Sequence, residues 1–204
     1  MGSASRLLPL ILVAAAVCAC QSPSPRRILD RLPRQEGLVQ LRGQPVTLLG
    51  RLPEVGEAAP EAVLVDRSMT ERSLHDYRDG GILILSSVPS LDTPVCSRQT
   101  ATFNEKAAAL APDVRILTVS MDLPMAQARW CGAHGVERVE TASDYRYWDF
   151  GLAWGLRIRE SGLLARAVFV VDREGRIVWR QVVPELTREP DYEAVLAAAA
   201  ALGG

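Results

Sequence analysis

The chain is punctuated by three short, mostly apolar runs, at 81–87, 114–120 and 165–171, each bounded by polar or turn-forming residues. Their brevity and lack of strict alternation predict strands buried on both faces. Apolar residues at helical spacing follow the first run, at Phe103, Ala107 and Leu110. A second helix is predicted over 124–131, opened by Pro124 and closed at Gly132. Two pairs of segments read as β-hairpins: 38–41 with 46–48 around Arg42-Gly43-Gln44-Pro45, and the third run with 176–183 around 172–175. Short extended pieces are predicted at 62–65 and 139–142. A helix is predicted over 147–154, with Trp148, Phe150 and Trp154 turned inward as core rather than as a cofactor box. The polar stretch 69–78 shows no clear period, and the alanine-rich 191–202 predicts a closing helix capped near Asp191.

In order, the elements read β-hairpin, β, β-α-β-α and β-β-α. A parallel βαβ half followed by a hairpin and a last helix predicts a thioredoxin-like α/β fold, here with an N-terminal β-hairpin extension.

Ahead of this domain the pattern changes. Arg6 and the apolar stretch 7–17 form the charged and apolar regions of an export signal. The apolar stretch is too short for a bilayer span, which takes about 20 residues. Val17-Cys18-Ala19-Cys20 resembles the cleavage box of bacterial lipoproteins, in which a small residue precedes the cysteine that becomes lipidated. Cys20 fits that role, whereas Cys18 follows Val17; a secretory signal cut nearby without lipidation is the alternative. The expected layout is a lipoprotein-type signal over 1–20, a Pro-, Ser- and Arg-rich tether over 21–36, and one domain over 37–204. It places the protein in the bacterial cell envelope, held to a membrane by acyl chains. Ser22, where aspartate would direct retention, points to the outer membrane under the enterobacterial sorting rule.

The 204 residues carry a formal net charge of −1 and are 48% hydrophobic, enough for one ordinary core. Such a balance gives no electrostatic attraction for nucleic acid. With Cys18 and Cys20 in the signal, Cys96 and Cys131 remain in the domain. No Gly-rich phosphate loop is present, and Asp122, Asp144, Asp149 and Asp172 show no paired-carboxylate spacing. Cys131 and His134 form a C-x-x-H pair, but His75 is the only other histidine, so neither a metal nor a cofactor is expected.

The candidate chemistry sits at the end of the first buried run. Thr93 followed by Pro94 marks a helix start, with threonine as N-cap and proline at the first helical position. Cys96 then falls in the first turn, where unpaired backbone N–H groups and the positive end of the helix dipole favour thiolate, the nucleophilic form. A small, inert core cysteine is the alternative. Cys96 and Cys131 are too far apart in sequence for the C-x-x-C dithiol motif.

Here the residues resemble a known family. Pro89-x-x-x-Thr93-x-x-Cys96 is the active-site pattern of the peroxiredoxins. VPSLDTPVC at 88–96, MDLPMAQARWCGAHG at 121–135, LLARAVFVVD at 163–172 and VVPELTREPDYEAVLAA at 182–198 are similar to the thiol peroxidase branch, the atypical two-cysteine peroxiredoxins. The similarity runs from about Gly37 to the C-terminus. It implies a peroxiredoxin-type fold and a thiol-dependent peroxidase acting on hydrogen peroxide and alkyl hydroperoxides. Carried over residue by residue, it makes Cys96 the peroxidatic cysteine and Thr93 the hydroxyl beside sulfur and peroxide. Arg166 becomes the cation that favours thiolate and orients the oxygens, and Pro89 the residue that packs over the site. Cys131 becomes the resolving cysteine, which forms an intramolecular disulfide with Cys96. The resemblance further implies a homodimer, local unwinding around both cysteines, and thioredoxin as reductant. An exported chain would need an exported thioredoxin-like donor instead. Met125 and Trp130 depart from the phenylalanine frequent beside the resolving cysteine.

From the residues alone, other readings stay open. Arg166 could be a solvated strand-end arginine, Thr93 a cap only, and Cys131 half of a structural disulfide. Two other functions stand beside the peroxidase. One is an envelope thiol–disulfide exchange protein, which the missing C-x-x-C speaks against; the other is a non-catalytic anchored module with a structural disulfide.

Overall fold

The computed structural model describes residues 29–203. The expected signal, Cys20 and the first part of the tether lie outside the described residues. The expected hairpin is formed by β1 (Arg34–Leu41) and β2 (Gln44–Leu49). Strand β1 starts within the stretch expected to be tether. Gln35 pairs with Leu48, and its side-chain amide donates to the carbonyl of Gly50 at 2.9 Å, which draws the strand in at this end.

The stretch without a clear period resolves into three pieces: a turn after β3 (Val63–Asp66), then β4 (Glu71–Ser73) and the short helix α1 (Leu74–Arg78). Ser73 caps α1 while Asp76 reaches back to the Ser73 N–H, a reciprocal capping box that fixes the start of so short a helix. There follow β5 (Ile82–Ser87), α2 (Pro94–Lys106), β6 (Val114–Ser120), α3 (Pro124–His134) and β7 (Glu140–Ser143). The chain continues through α4 (Asp149–Ala153), β8 (Arg157–Ile158), β9 (Ala167–Val171), β10 (Ile177–Val182) and α5 (Tyr192–Ala200).

Seven strands form one sheet in the order β10-β9-β5-β6-β7-β3-β4, and β1, β2 and β8 form a smaller one. Strands β5, β6 and β7 run parallel, and β9 pairs antiparallel with β5. Side-chain parity then sorts the core. Leu83 and Leu85 of β5 join Phe169 of β9 in a cluster shared with Phe150, Trp154 and the small sheet. Ile82 and Ile84 join Val168 and Val170 in a second cluster on the opposite face, with Phe103 of α2, Cys131 of α3 and Val195 of α5. Each fully buried side chain of this kind contributes roughly 1.5–3 kcal/mol. Burial of both faces therefore explains why the three central runs lack alternation.

Two predicted boundaries move. Helix α3 runs through Gly132 and stops at Gly135, whose φ of 60° supplies the left-handed closing residue and whose N–H returns to the Cys131 carbonyl. The helix predicted over 147–154 shrinks to α4, because Trp148 sits at φ 62° ahead of it. Trp148 is half-buried rather than inward, with the Arg157 guanidinium 4.4 Å over its ring, whereas Phe150 and Trp154 do face the core.

Candidate active site

The site forms where β5 hands over to α2. Cys96 sits in the first turn of α2 and its side chain is fully buried. Thr93 takes the N-cap position, yet its hydroxyl caps nothing. Thr93 Oγ1 lies 2.8 Å from Cys96 Sγ and 3.0 Å from the carbonyl oxygen of Ser90. The hydroxyl has one proton, so it donates to one of these at a time. Toward a thiolate it donates; beside a thiol it accepts and turns its proton to Ser90. The hydroxyl thus lies beside the sulfur rather than over the helix N–H groups.

Arg166 immediately precedes β9 and shares its parity with Val168 and Val170, which points it to the face covered by α2. Only 1% of it is exposed, which excludes the solvated strand-end reading. Its Nη2 lies 3.4 Å from Cys96 Sγ, Nη1 donates to Gln99 Oε1 at 2.5 Å, and Nε and Nη2 donate to the carbonyl of Leu186 at 3.2 and 2.9 Å. Gln99 is held in turn by its donation to Ser86 Oγ at 2.7 Å. Among the described residues no carboxylate lies within ion-pair distance of Arg166. Glu189 feels its charge from further away, but that carboxyl is held below the ordinary range first by the Tyr192 hydroxyl. A buried guanidinium with only neutral oxygens around it is costly unless an anion completes the set. The Cys96 sulfur is the partner in place to be that anion.

Pro89 is half-buried and lines a cavity of about 670 Å³ together with Thr93 and Arg166. The rest of its wall is largely apolar, with Leu41 and Val46 from the hairpin, Val95 from α2, and Ile158 and Leu163 from the β8 region. The N-terminal extension therefore builds part of the approach to the site.

Cys131 lies near the end of α3 and is 2% exposed, 3.7 Å from Thr141 Oγ1. Both cysteines are free, and both border the same hydrophobic cluster. Next to Cys131, Trp130 is buried and stacks on His134 with ring centroids 4.4 Å apart. Met125 is 52% exposed. His75 pairs with Arg78 instead, at 3.0 Å. Among the described residues no group of three or more His, Cys, Asp or Glu side chains could hold a metal ion.

Four contributors escape sequence reasoning. Gln99 has a weak signal, since it follows Cys96 by three residues and so shares its helix face. Ser86 has none beyond its parity on β5. Leu186 acts through its backbone carbonyl, which leaves no trace in residue type. Asp122 accepts from Ser90 Oγ and the Leu91 N–H, both at 2.7 Å, and so pins the loop that leads to Cys96.

A thioredoxin-like α/β domain that presents a cysteine, a hydroxyl and a buried guanidinium at one helix N-terminus defines a thiol-based redox protein. Residues 54–196 match the Redoxin family. The thiol peroxidase of Bacillus subtilis is 49% identical over 164 residues, covering 80% of this chain and 97% of its own. The thiol peroxidase of Listeria innocua is 48% identical over 161 residues, covering 79% and 96%. The crystal structure of a peroxiredoxin-like protein from Aquifex aeolicus superposes with a TM-score of 0.76 at 42% identity, covering 83% of this chain and 98% of that one. The chain belongs to the thiol peroxidases within the redoxin family, and it is a thiol-dependent peroxidase of the peroxiredoxin type.

Proposed function

We propose that Cys96 is the peroxidatic and Cys131 the resolving cysteine of this peroxidase. The Cys96 thiolate attacks one peroxide oxygen; the S–O bond forms as the O–O bond breaks, leaving a sulfenic acid and an alkoxide or hydroxide that takes up a proton. Arg166 and Thr93 supply donors to the charge that moves from sulfur to the leaving oxygen, and Gln99 and Leu186 keep the guanidinium aimed. Pro89 helps wall the site from water. The Cys131 thiol then attacks the sulfenic sulfur, giving a disulfide and one water. A dithiol reductant takes the two electrons' worth of oxidation by exchange and restores both thiols. The observation that carries this reading is the fully buried Arg166 beside the Cys96 sulfur, with no carboxylate partner among the described residues.

The largely apolar wall of the 670 Å³ cavity supports organic hydroperoxides as well as hydrogen peroxide. The sequence of the N-terminal segment supports export, lipidation at Cys20 and a thioredoxin-like donor in the envelope; the assembly is read as a homodimer. The test is single turnover with a stoichiometric pulse of cumene hydroperoxide or hydrogen peroxide. Cys96→Ser abolishes peroxide consumption. Cys131→Ser consumes one equivalent and stops at the sulfenic acid, detected by dimedone trapping. Sustained turnover of Cys131→Ser with a dithiol reductant would remove Cys131 from the cycle. Metabolic labelling with palmitate, lost in Cys20→Ala, tests the anchor.

A further inference from the structure

The loop after β5 and the loop after β6 each lead into a helix that carries a cysteine, and one side chain joins them. Asp122, between β6 and α3, accepts three hydrogen bonds of 2.7 Å on its carboxylate. Ser90 Oγ donates to Oδ1, while the Leu91 N–H and Ser120 Oγ donate to Oδ2. On one side the chain of contacts continues to Cys96, since the Ser90 carbonyl accepts from Thr93 Oγ1, which reaches the sulfur. On the other side, Ser120 Oγ accepts from Gln127 Nε2 at 2.9 Å, and Gln127 lies about one turn before Cys131 on α3. Gln127 also donates to the Ala142 carbonyl at 2.9 Å, and Ser143 Oγ donates to the carbonyl of Asp122. A continuous polar path therefore links the two cysteine-bearing segments through one carboxylate.

Both cysteines are free, and their sulfurs keep different company: Thr93 and Arg166 around Cys96, Thr141 beside Cys131. A disulfide requires an S–S distance of about 2.05 Å. Bringing the two sulfurs to that distance acts on the two segments that carry them. Those are the segments that Asp122 joins.

We infer that Asp122 is a positioning residue that latches the Cys96 segment to the Cys131 segment. While closed, the latch keeps the site assembled for peroxide attack; its strength sets how readily both segments open for disulfide formation. This inference rests on the Cys96–Cys131 cycle proposed above, but its first test needs no peroxide.

The experiment compares the wild-type chain with Ser90→Ala, Ser120→Ala and Asp122→Asn. Each serine variant cuts one arm of the latch and leaves the carboxylate. Amide hydrogen exchange is followed in the reduced proteins over 88–97 and 122–131. Loss of one hydrogen bond to a charged group speeds opening roughly tenfold. The expected result is a cross effect: Ser120→Ala speeds exchange in 88–97 and Ser90→Ala speeds it in 122–131, with Ser90→Thr returning to the wild-type rate. A single pulse of hydrogen peroxide should then give disulfide roughly tenfold faster in both alanine variants. Exchange that rises only in the mutated segment, or disulfide formation at the wild-type rate, overturns the latch. A wild-type chain that never forms the Cys96–Cys131 bond overturns the cycle instead, and the exchange measurement still decides the latch.

Discussion

The carbonyl oxygen of Leu186 receives the Arg166 guanidinium twice, at 3.2 Å from Nε and 2.9 Å from Nη2. The residue before it, Glu185, accepts from the N–H groups of Arg42 and Gly43 at the tip of the β1–β2 hairpin, both at 3.0 Å, and from Thr187. These backbone donors, those of Arg42 and Gly43 first, hold the Glu185 carboxyl down at about 2. The N-terminal extension and the buried Arg166 guanidinium are thus fastened to the adjacent residues Glu185 and Leu186. Glu185→Gln keeps the size of the side chain but can accept on only one oxygen. It is expected to slow Cys96 oxidation roughly two- to tenfold, the range of one weakened hydrogen bond, through a less well-held Leu186. Stopped-flow rates with hydrogen peroxide check this, and an unchanged rate would show that the hairpin and Arg166 are not coupled.

Arg166→Lys tests the guanidinium itself. The planar fork serves Gln99, Leu186 and the sulfur at once, and an ammonium on a flexible stem cannot span all three. Removing one oriented donor from a developing anion costs on the order of 10²–10³ in rate. The second-order rate constant of Cys96 oxidation in Arg166→Lys is therefore expected to fall about 100-fold with the fold retained by circular dichroism.

Much of this was legible in the chain. The buried runs that became β5, β6 and β9 stood out because both faces are covered, and Thr93-Pro94 marked the start of α2. Arg166 stood out as a charge inside an apolar run. What could not be read was set by geometry between distant segments. The pattern places the stop of α3 at Gly132, and only the backbone shows that Gly135 takes the left-handed conformation. Trp148 looks like core until its own positive φ, at the N-cap, holds it outside the helix. Asp122 and Asp144 lacked any paired spacing because their partners are backbone N–H groups and serines from other elements. The two-residue strand β8 pairs with the edge of β2, a partner distant in sequence.

Gly155 is predicted to be indispensable to that edge. Its φ is 62°, and a Cβ there would lie 2.5 Å from the backbone carbon of Arg51. No flexible side chain can move aside. Gly155→Ala should combine left-handed strain with overpacking, a loss of about 2–5 kcal/mol. Urea midpoints measured on the reduced protein check it; a shift worth less than about 1 kcal/mol would mean the β2 segment relocates cheaply.

Asp144 gives the fold a pH dependence of unusual sign for a carboxylate. It is almost wholly buried, and burial pushes its carboxyl from an ordinary 3.8 up to about 6, against the N–H groups of Gly151 and Phe150 and the charge of Arg157. Between these two values the folded chain holds a proton that the unfolded chain has lost. The stabilisation from this group is therefore complete below pH 3.8 and is lost as pH rises through about 6. The shift corresponds to at most about 3 kcal/mol. In Asp144→Asn nothing titrates at this position, though the amide cannot accept from both N–H groups, so the variant is less stable throughout. Carboxylates such as Asp66 and Glu160, which are held below their ordinary range, act in the opposite sense in both proteins and cancel in the comparison. Urea denaturation at pH 4 and pH 7 should show the wild-type advantage over Asp144→Asn shrinking by up to about 3 kcal/mol as pH rises. An advantage that grows with pH would instead mean that the two N–H groups and Arg157 outweigh burial and hold Asp144 ionised in the fold.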